Sequence, residues 1–117
     1  MKVFVGTDIE HVDRFKSILN FKGKLLRIFT ELEYNYAIKK RLPEQSFAGI
    51  WCAKESVVKS FGKIKLINIK NVEIICNHNK PPLAKLIGIN FDFEYNISVS
   101  ISHTDKIANA VSILTIF

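Results

Sequence analysis

The sequence predicts an α+β fold in which an antiparallel sheet packs against one long central helix and several shorter ones. Three observations carry this expectation. The chain opens on an alternating, β-branched run at Lys2 to Thr7, its middle repeats apolar residues at helical spacing, and its last third returns to strand-like alternation. A strand, then helices, then a group of strands is the order of an α+β domain rather than of a parallel βαβ sheet. At 117 residues, 48% hydrophobic and 24% charged, the chain is expected to form one domain over residues 1–117. That size supports a core without metal or disulfide staples.

Each element has a local reason. After the first strand, Val12, Phe15, Ile18 and Leu19 repeat at helical spacing, which puts Asp8 where strand hands over to helix. Asn20 to Lys24 reads as a turn and Leu25 to Phe29 as a short helical piece. Thr30-Glu31-Leu32-Glu33 is a capping box: the Thr30 hydroxyl accepts from the Glu33 N–H, and the Glu33 carboxylate reaches back. Pro43 opens the longest helix, whose apolar stripe runs through Phe47, Ile50, Trp51, Val57, Val58 and Phe61 before Gly62 ends it. Trp51 and the phenylalanines at this spacing are expected in the core. Leu66 to Ile69 and Val72 to Cys76 then read as strands, Asn77 to Pro82 as a turn and Leu83 to Ile87 as a short helix. Asn96 to Ser102 and Ile107 to Ile116 form a hairpin around His103-Thr104-Asp105-Lys106.

Composition narrows the function classes. Nine Phe, three Tyr and one Trp against five Gly and three Pro oppose a low-complexity or disordered chain. No apolar run approaches the roughly 18 residues of a membrane span, and Asp8 comes too early for a signal peptide, so a soluble cytoplasmic protein is expected. Cys52 and Cys76 lack CxxC spacing and read as reduced core residues. The net charge of +6 is a patch: residues 14–41 hold eight Lys or Arg and two acids, and the rest of the chain balances. Its densest part, Arg14, Lys16, Lys22, Lys24 and Arg27, contains no acid and calls for an anionic partner: a nucleic acid, a membrane surface or an acidic protein.

The residues that carry chemistry are few. Asp8 and Glu55 are the carboxylates best placed to converge on one ion, and two carboxylates plus ligand oxygens suit Mg2+. Glu55 and Lys59 lie one above the other on the long helix, so a metal carboxylate and a phosphate-binding cation would share a face. The alternatives are a helix cap at Asp8 and an ordinary surface pair at Glu55 and Lys59. His103 stands at a strand mouth, where an imidazole either meets a phosphate or is simply solvated. His11 and His78 read as solvated. No zinc spacing, phosphate loop, dinucleotide glycine pattern or complete calcium loop is present.

Four segments together resemble the holo-[acyl-carrier-protein] synthases, the small bacterial 4'-phosphopantetheinyl transferases. They are Gly6-Thr7-Asp8-Ile9-Glu10-His11-Val12-Asp13-Arg14, Phe29-Thr30-Glu31-Leu32-Glu33, Phe47 through Gly62, and Val99-Ser100-Ile101-Ser102-His103-Thr104. They stand in the family's order over nearly the whole chain. The resemblance implies a 4'-phosphopantetheinyl transferase-like fold. It also implies transfer of 4'-phosphopantetheine from coenzyme A to a serine of apo-acyl carrier protein, with Mg2+ required and adenosine 3',5'-bisphosphate released, in support of fatty acid biosynthesis. A homotrimer with active sites between subunits is implied as well.

Carried over by position, Asp8 and Glu55 hold Mg2+ and, with Lys59, form the catalytic set. Lys54, Lys59, Gly62, Lys63, Pro81, Ser102, His103 and Thr104 contact coenzyme A, while Arg14, Lys16, Lys22, Lys24 and Arg27 dock the acidic carrier protein. The serine proton goes to a carboxylate, Glu55 being the side-chain candidate, or to a water. The chain departs from the family in three places. Ile50 stands where a nucleotide-contacting arginine is common, Gly62-Lys63-Ile64 is one residue short of the usual Gly-Thr-Gly-Ile, and Asn79 replaces a glycine before Lys80-Pro81. Lys63 offers a replacement phosphate contact, and Asn tolerates the left-handed conformation better than most residues. Two rivals follow from charge and carboxylates alone: a basic nucleic-acid-binding module without catalysis, and a metal-dependent phosphohydrolase.

Overall fold

The computed structural model describes all residues from Met1 to Phe117. The chain runs β1 (Lys2–His11), α1 (Asp13–Lys16), α2 (Lys22–Leu25), α3 (Glu31–Ile38) and α4 (Pro43–Ser60), then a 3-10 turn at Ile69–Asn71, β2 (Val72–Ile75), β3 (Leu83–Leu86), β4 (Tyr95–His103) and β5 (Ile107–Ile116). Two antiparallel sheets result, a three-stranded one in the order β1-β5-β4 and a two-stranded one of β2 and β3. The α+β class and the antiparallel sheet against a long helix are therefore as the sequence predicts.

The 18-residue α4 is the centre of the molecule. Pro43 stands at its start, where no intrahelical N–H is needed, and the Gly62 N–H closes onto the Lys59 carbonyl at 3.1 Å. One side lies on the inner face of the three-stranded sheet and is built from Gly49, Cys52, Ala53, Ser56 and Ser60, all buried. Gly6 of β1 makes the close approach possible: a Cβ there would sit 1.8 Å from the Ser56 carbonyl oxygen. The other side carries Phe47, Ile50, Val57 and Phe61, which pack into an 18-residue core with Phe15, Leu25, Phe29, Val72 and Ile74. Each such side chain contributes about 1.5–3 kcal/mol on full burial.

Five elements differ from the sequence expectation. β1 continues past Thr7 to His11 because β5 pairs along all of it, down to His11 opposite Ile107. Asp8 is therefore a mid-strand residue opposite Ala110 and caps no helix. The helical spacing that follows makes only the one turn of α1, and the next helical turn, α2, forms at Lys22–Leu25, earlier than expected. Leu66 to Ile69 finds no partner strand and leads into the 3-10 turn, which Asn68 caps by accepting from Lys70. Leu83–Leu86 is a strand, not a helix: two prolines precede it, and its backbone pairs with Val72–Ile75.

The Thr30–Glu33 capping box and the β4–β5 hairpin form as expected. In the hairpin turn, Thr104 Oγ1 accepts from the N–H groups of Lys106 and Ile107 at 3.1 and 3.0 Å. Asn79 takes the left-handed conformation, φ 63°. Trp51 is only half-buried, and the Arg14 guanidinium lies 4.2 Å from the ring centroid. The outer face of the three-stranded sheet is exposed, apolar along β1 and β5 and polar along β4, which turns out Asn96, Ser98, Ser100 and Ser102. Val3, Val5 and Ile9 of β1 are 57%, 60% and 65% exposed, beside Ile107, Val111 and Ile113 of β5.

Candidate active site

Alternation along β1 turns Gly6, Asp8 and Glu10 toward α4, and the small side chains beneath bring the two elements into contact. Asp8 therefore faces the helix rim that carries Glu55 and Lys59. Lys59 Nζ donates to Asp8 Oδ1 at 3.1 Å, so its ion pair crosses from helix to sheet rather than running along the helix to Glu55. The pair is open, with Lys59 54% and Asp8 15% exposed at the side chain. Asn109 Nδ2 donates to the Asp8 main-chain oxygen at 3.0 Å and fixes the strand there.

Glu55 joins the same group electrostatically. Burial first, and the neighbouring Asp8 carboxylate second, hold the Glu55 carboxyl above the usual range, with Lys59 and Arg14 opposing. Asp8 and Glu55 are thus near enough for their charges to repel, with Lys59 and Arg14 offsetting the repulsion in part. Cys52 lies beneath the two carboxylates. Burial, then Asp8, pushes its thiol up to about 12, so it is an inert core thiol whose Sγ donates to the Ala108 carbonyl at 3.5 Å. At the edge, Arg14 Nη1 donates to Glu10 Oε2 at 2.7 Å and stacks on Trp51. Burial alone would raise the Glu10 carboxyl, but the Arg14 side chain and the His11 N–H hold it below its ordinary value.

The remaining predicted residues are distributed. Lys54 is fully buried, and its ammonium donates to Glu33 Oε1 at 2.7 Å. Gly62 and Lys63 follow α4; Lys63 rims a cleft of about 530 Å³ with Phe4, Ile64 and Phe117. Ser102, His103 and Thr104 lie toward the other end of the helix, where Ile101 meets Gly49. The His103 Nδ1 donates to the Thr104 carbonyl at 3.0 Å, so Nε2 is the nitrogen left for a ligand. A smaller cleft of about 160 Å³ joins His103 to Ile50, Tyr36 and Gln45. Pro81 stands in the exposed turn before β3. Lys16 and Arg27 are exposed, while Lys22 and Lys24 lie over the Tyr34 and Phe21 rings at 5.1 and 4.9 Å.

Sequence reasoning missed three contributors: Glu33 as the partner of Lys54, Asn109 behind Asp8, and Glu10 beside it. Glu10 was within reach, because alternation puts it on the Asp8 face of β1, two residues on.

Residues 4–112 match the family described as ACPS, the 4'-phosphopantetheinyl transferase superfamily. The chain belongs to that superfamily. It is thus an enzyme, a phosphopantetheinyl transferase of the holo-[acyl-carrier-protein] synthase type. It is 41% identical to the holo-[acyl-carrier-protein] synthase of Caldanaerobacter subterraneus over 97% of this chain and 94% of that one. To the synthase of Caldicellulosiruptor bescii it is 36% identical, over 93% and 94%. Among solved structures, the fold matches a coenzyme A complex of the Chronobacterium ammoniagenes enzyme with TM-score 0.82, at 24% identity over 100% and 99% of the two chains. The Helicobacter pylori synthase, solved with coenzyme A, matches with TM-score 0.77 at 27% identity over 95% and 99%.

Proposed function

We propose that this transferase moves 4'-phosphopantetheine from coenzyme A to a serine hydroxyl of apo-acyl carrier protein, releases adenosine 3',5'-bisphosphate, and requires Mg2+. The observation that carries the reading is the meeting of Asp8, Glu55 and Lys59 at the junction of β1 and α4. The donor set fits the metal. The Asp8 and Glu55 charges repel, Lys59 and Arg14 offset that in part, and no group of three His, Cys, Asp or Glu forms a cage. A hard cation that keeps waters and takes substrate phosphate oxygens suits that arrangement. Bound there, Mg2+ would supply charge neutralisation for the pyrophosphate.

The chain's own residues do the rest. Asp8 and Glu55 would hold the cation, which frees the Lys59 ammonium from Asp8 to donate to an oxygen of the departing phosphate. The serine oxygen attacks the pantetheine-side phosphorus. The bond from that phosphorus to the bridging oxygen breaks, and the bridging oxygen leaves with the nucleotide. The serine proton passes to a water at the site or to Glu55, the side-chain candidate, whose carboxylate is a weaker acceptor while it holds a cation. His103 Nε2, Ser102, Thr104, Gly62, Lys63 and Pro81 are proposed contacts of coenzyme A; Lys54 is withdrawn from that set by its burial.

The basic run Arg14, Lys16, Lys22, Lys24 and Arg27 is the proposed dock for the acidic carrier protein, and Arg14 places its edge beside Glu55. The exposed apolar part of the sheet, along β1 and β5, is what a homotrimer would cover, and the proposed coenzyme contacts at both ends of α4 accord with sites completed between subunits. No helix is long and apolar enough to cross a membrane. We place the enzyme in the cytoplasm, as one domain of residues 1–117, serving fatty acid biosynthesis. Intact-mass measurement of an apo-carrier protein incubated with enzyme, coenzyme A and Mg2+ tests the reading. A gain of one phosphopantetheine, lost with EDTA or a serine-to-alanine carrier, is expected; no gain with several carriers overturns it.

A further inference from the structure

Outside the reacting group, the most unusual feature is a charge buried in the core. Lys54 and Glu33 are both wholly removed from solvent, and nothing in the proposed chemistry touches them. We propose that this pair is a positioning device: it fixes the rotation of α4 about its own axis and so places Glu55 against Asp8. The inference rests on the reading of Asp8 and Glu55 as the metal-holding pair.

The sheet side of α4 holds the helix close without large side chains. Its buried residues there are small, and the directional bonds across that contact are two buried neutral ones and, at the exposed rim, the Lys59–Asp8 pair that the proposed chemistry opens. Ser112 Oγ donates to the Ser56 carbonyl at 2.7 Å, and Cys52 Sγ donates to the Ala108 carbonyl at 3.5 Å. Such a surface packs closely but gives little grip against a twist of the helix. The opposite side is different. Lys54 Nζ donates to Glu33 Oε1, which also accepts from the Thr30 N–H at 2.9 Å, and Glu33 Oε2 accepts from the Ile74 N–H at 2.7 Å. One carboxylate therefore ties α4 to the start of α3 and to β2 through short bonds with charged groups, which are stronger and more directional than neutral ones. Consecutive helix residues point roughly 100° apart, so a fixed Lys54 fixes Glu55.

Stability alone does not call for the pair, because a well-packed apolar pair of similar volume is often as stable or more so. Specification of one arrangement among several close-packed ones is the other use of a buried charge. That use fits a lysine one residue before a proposed metal ligand.

The test is the double variant Glu33→Gln with Lys54→Met, which removes both charges together, and a single Lys54→Gln, which keeps a donor toward Glu33 but not the charge. Mn2+ binding to the free protein is read by electron paramagnetic resonance, beside kcat and the KM for carrier protein. The expected double variant unfolds cooperatively, binds Mn2+ about tenfold more weakly, loses kcat and keeps its carrier KM within about twofold, with Lys54→Gln between it and the wild type. Variants with wild-type Mn2+ affinity and kcat, changed only in unfolding midpoint, would overturn the inference, as would a failure of both variants to fold. A wild-type chain that neither binds Mn2+ nor transfers would overturn the proposed function together with this inference. Normal wild type with unaltered variants sinks the inference alone.

Discussion

Two lysines five residues apart on α4 each form one ion pair, and the two pairs have opposite characters. Lys54 and Glu33 are wholly buried at 2.7 Å, whereas Lys59 and Asp8 lie at 3.1 Å with Lys59 54% exposed. The first pair joins three elements through a carboxylate whose oxygens are both engaged. The second stands open at a rim, beside another carboxylate that has no cation of its own. A closed pair holds architecture; an open one can exchange partners, so that Asp8 turns to a cation and Lys59 to a phosphate. What separates structure from chemistry here is solvent access and satisfied valence, not residue type.

The largest effect expected is on catalysis at the open site. Glu55→Gln and Asp8→Asn remove one charge each from the group that would hold the metal. Each should lower kcat by about 10²–10³-fold or more while circular dichroism and unfolding stay close to wild type. Wild-type transfer in either variant would end the metal assignment.

Next comes a crossed comparison of the two lysines. Lys54→Met leaves Glu33 charged and buried without its cation, which should cost about 3–5 kcal/mol of stability in chemical denaturation. Lys59→Met should cost less than about 1 kcal/mol, as exposed pairs do, yet reduce transfer sharply. Equal stability losses would erase the distinction between the pairs.

That crossing also shows what the sequence could and could not tell. The order of elements, the capping box at Thr30, the span of α4 and the β4–β5 hairpin are local in origin, so periodicity and turn residues reveal them. Asp8, Glu55 and Lys59 were legible because a strand residue and a helix rim can be paired on paper once a resemblance supplies the register. Lys54 was expected among the coenzyme contacts, and nothing in the local pattern signals its burial. Only packing shows that its azimuth points to α3, and Glu33 sits 21 positions away with a complete local role as a capping residue. β3 was misread for a related reason: four residues carry too little period to choose between helix and strand, and the choice was made by β2.

A moderate effect is expected at the basic surface. Arg14 is already engaged by Glu10 and Trp51, so Lys16→Glu with Lys24→Glu is the cleaner reversal. It should weaken carrier-protein binding about tenfold at low ionic strength, with the difference shrinking as salt screens it, and leave the KM for coenzyme A unchanged. Salt-independent affinity in both proteins would move the dock elsewhere.

The smallest effect is on the pH dependence of folding, and its sign is informative. The Glu55 carboxyl is held above its ordinary value by burial and then by Asp8, so the folded state binds that proton more tightly than the unfolded chain does. The stabilisation this gives is complete below the unfolded carboxyl's titration range and is lost as pH rises through the folded one. At neutral pH without metal, the site therefore works against the fold, though weakly, because it is partly open to solvent and screened. Glu55→Gln should accordingly unfold at a slightly higher temperature than wild type at neutral pH, and the advantage should vanish toward acid pH. Mg2+ should raise the wild-type midpoint at neutral pH and leave the variant nearly unmoved, since only a charged pair of carboxylates has a repulsion for the cation to relieve. In Lys54→Met, by contrast, Mg2+ should not restore the stability lost at Glu33, because the closed pair has no opening through which a metal could replace the lost charge.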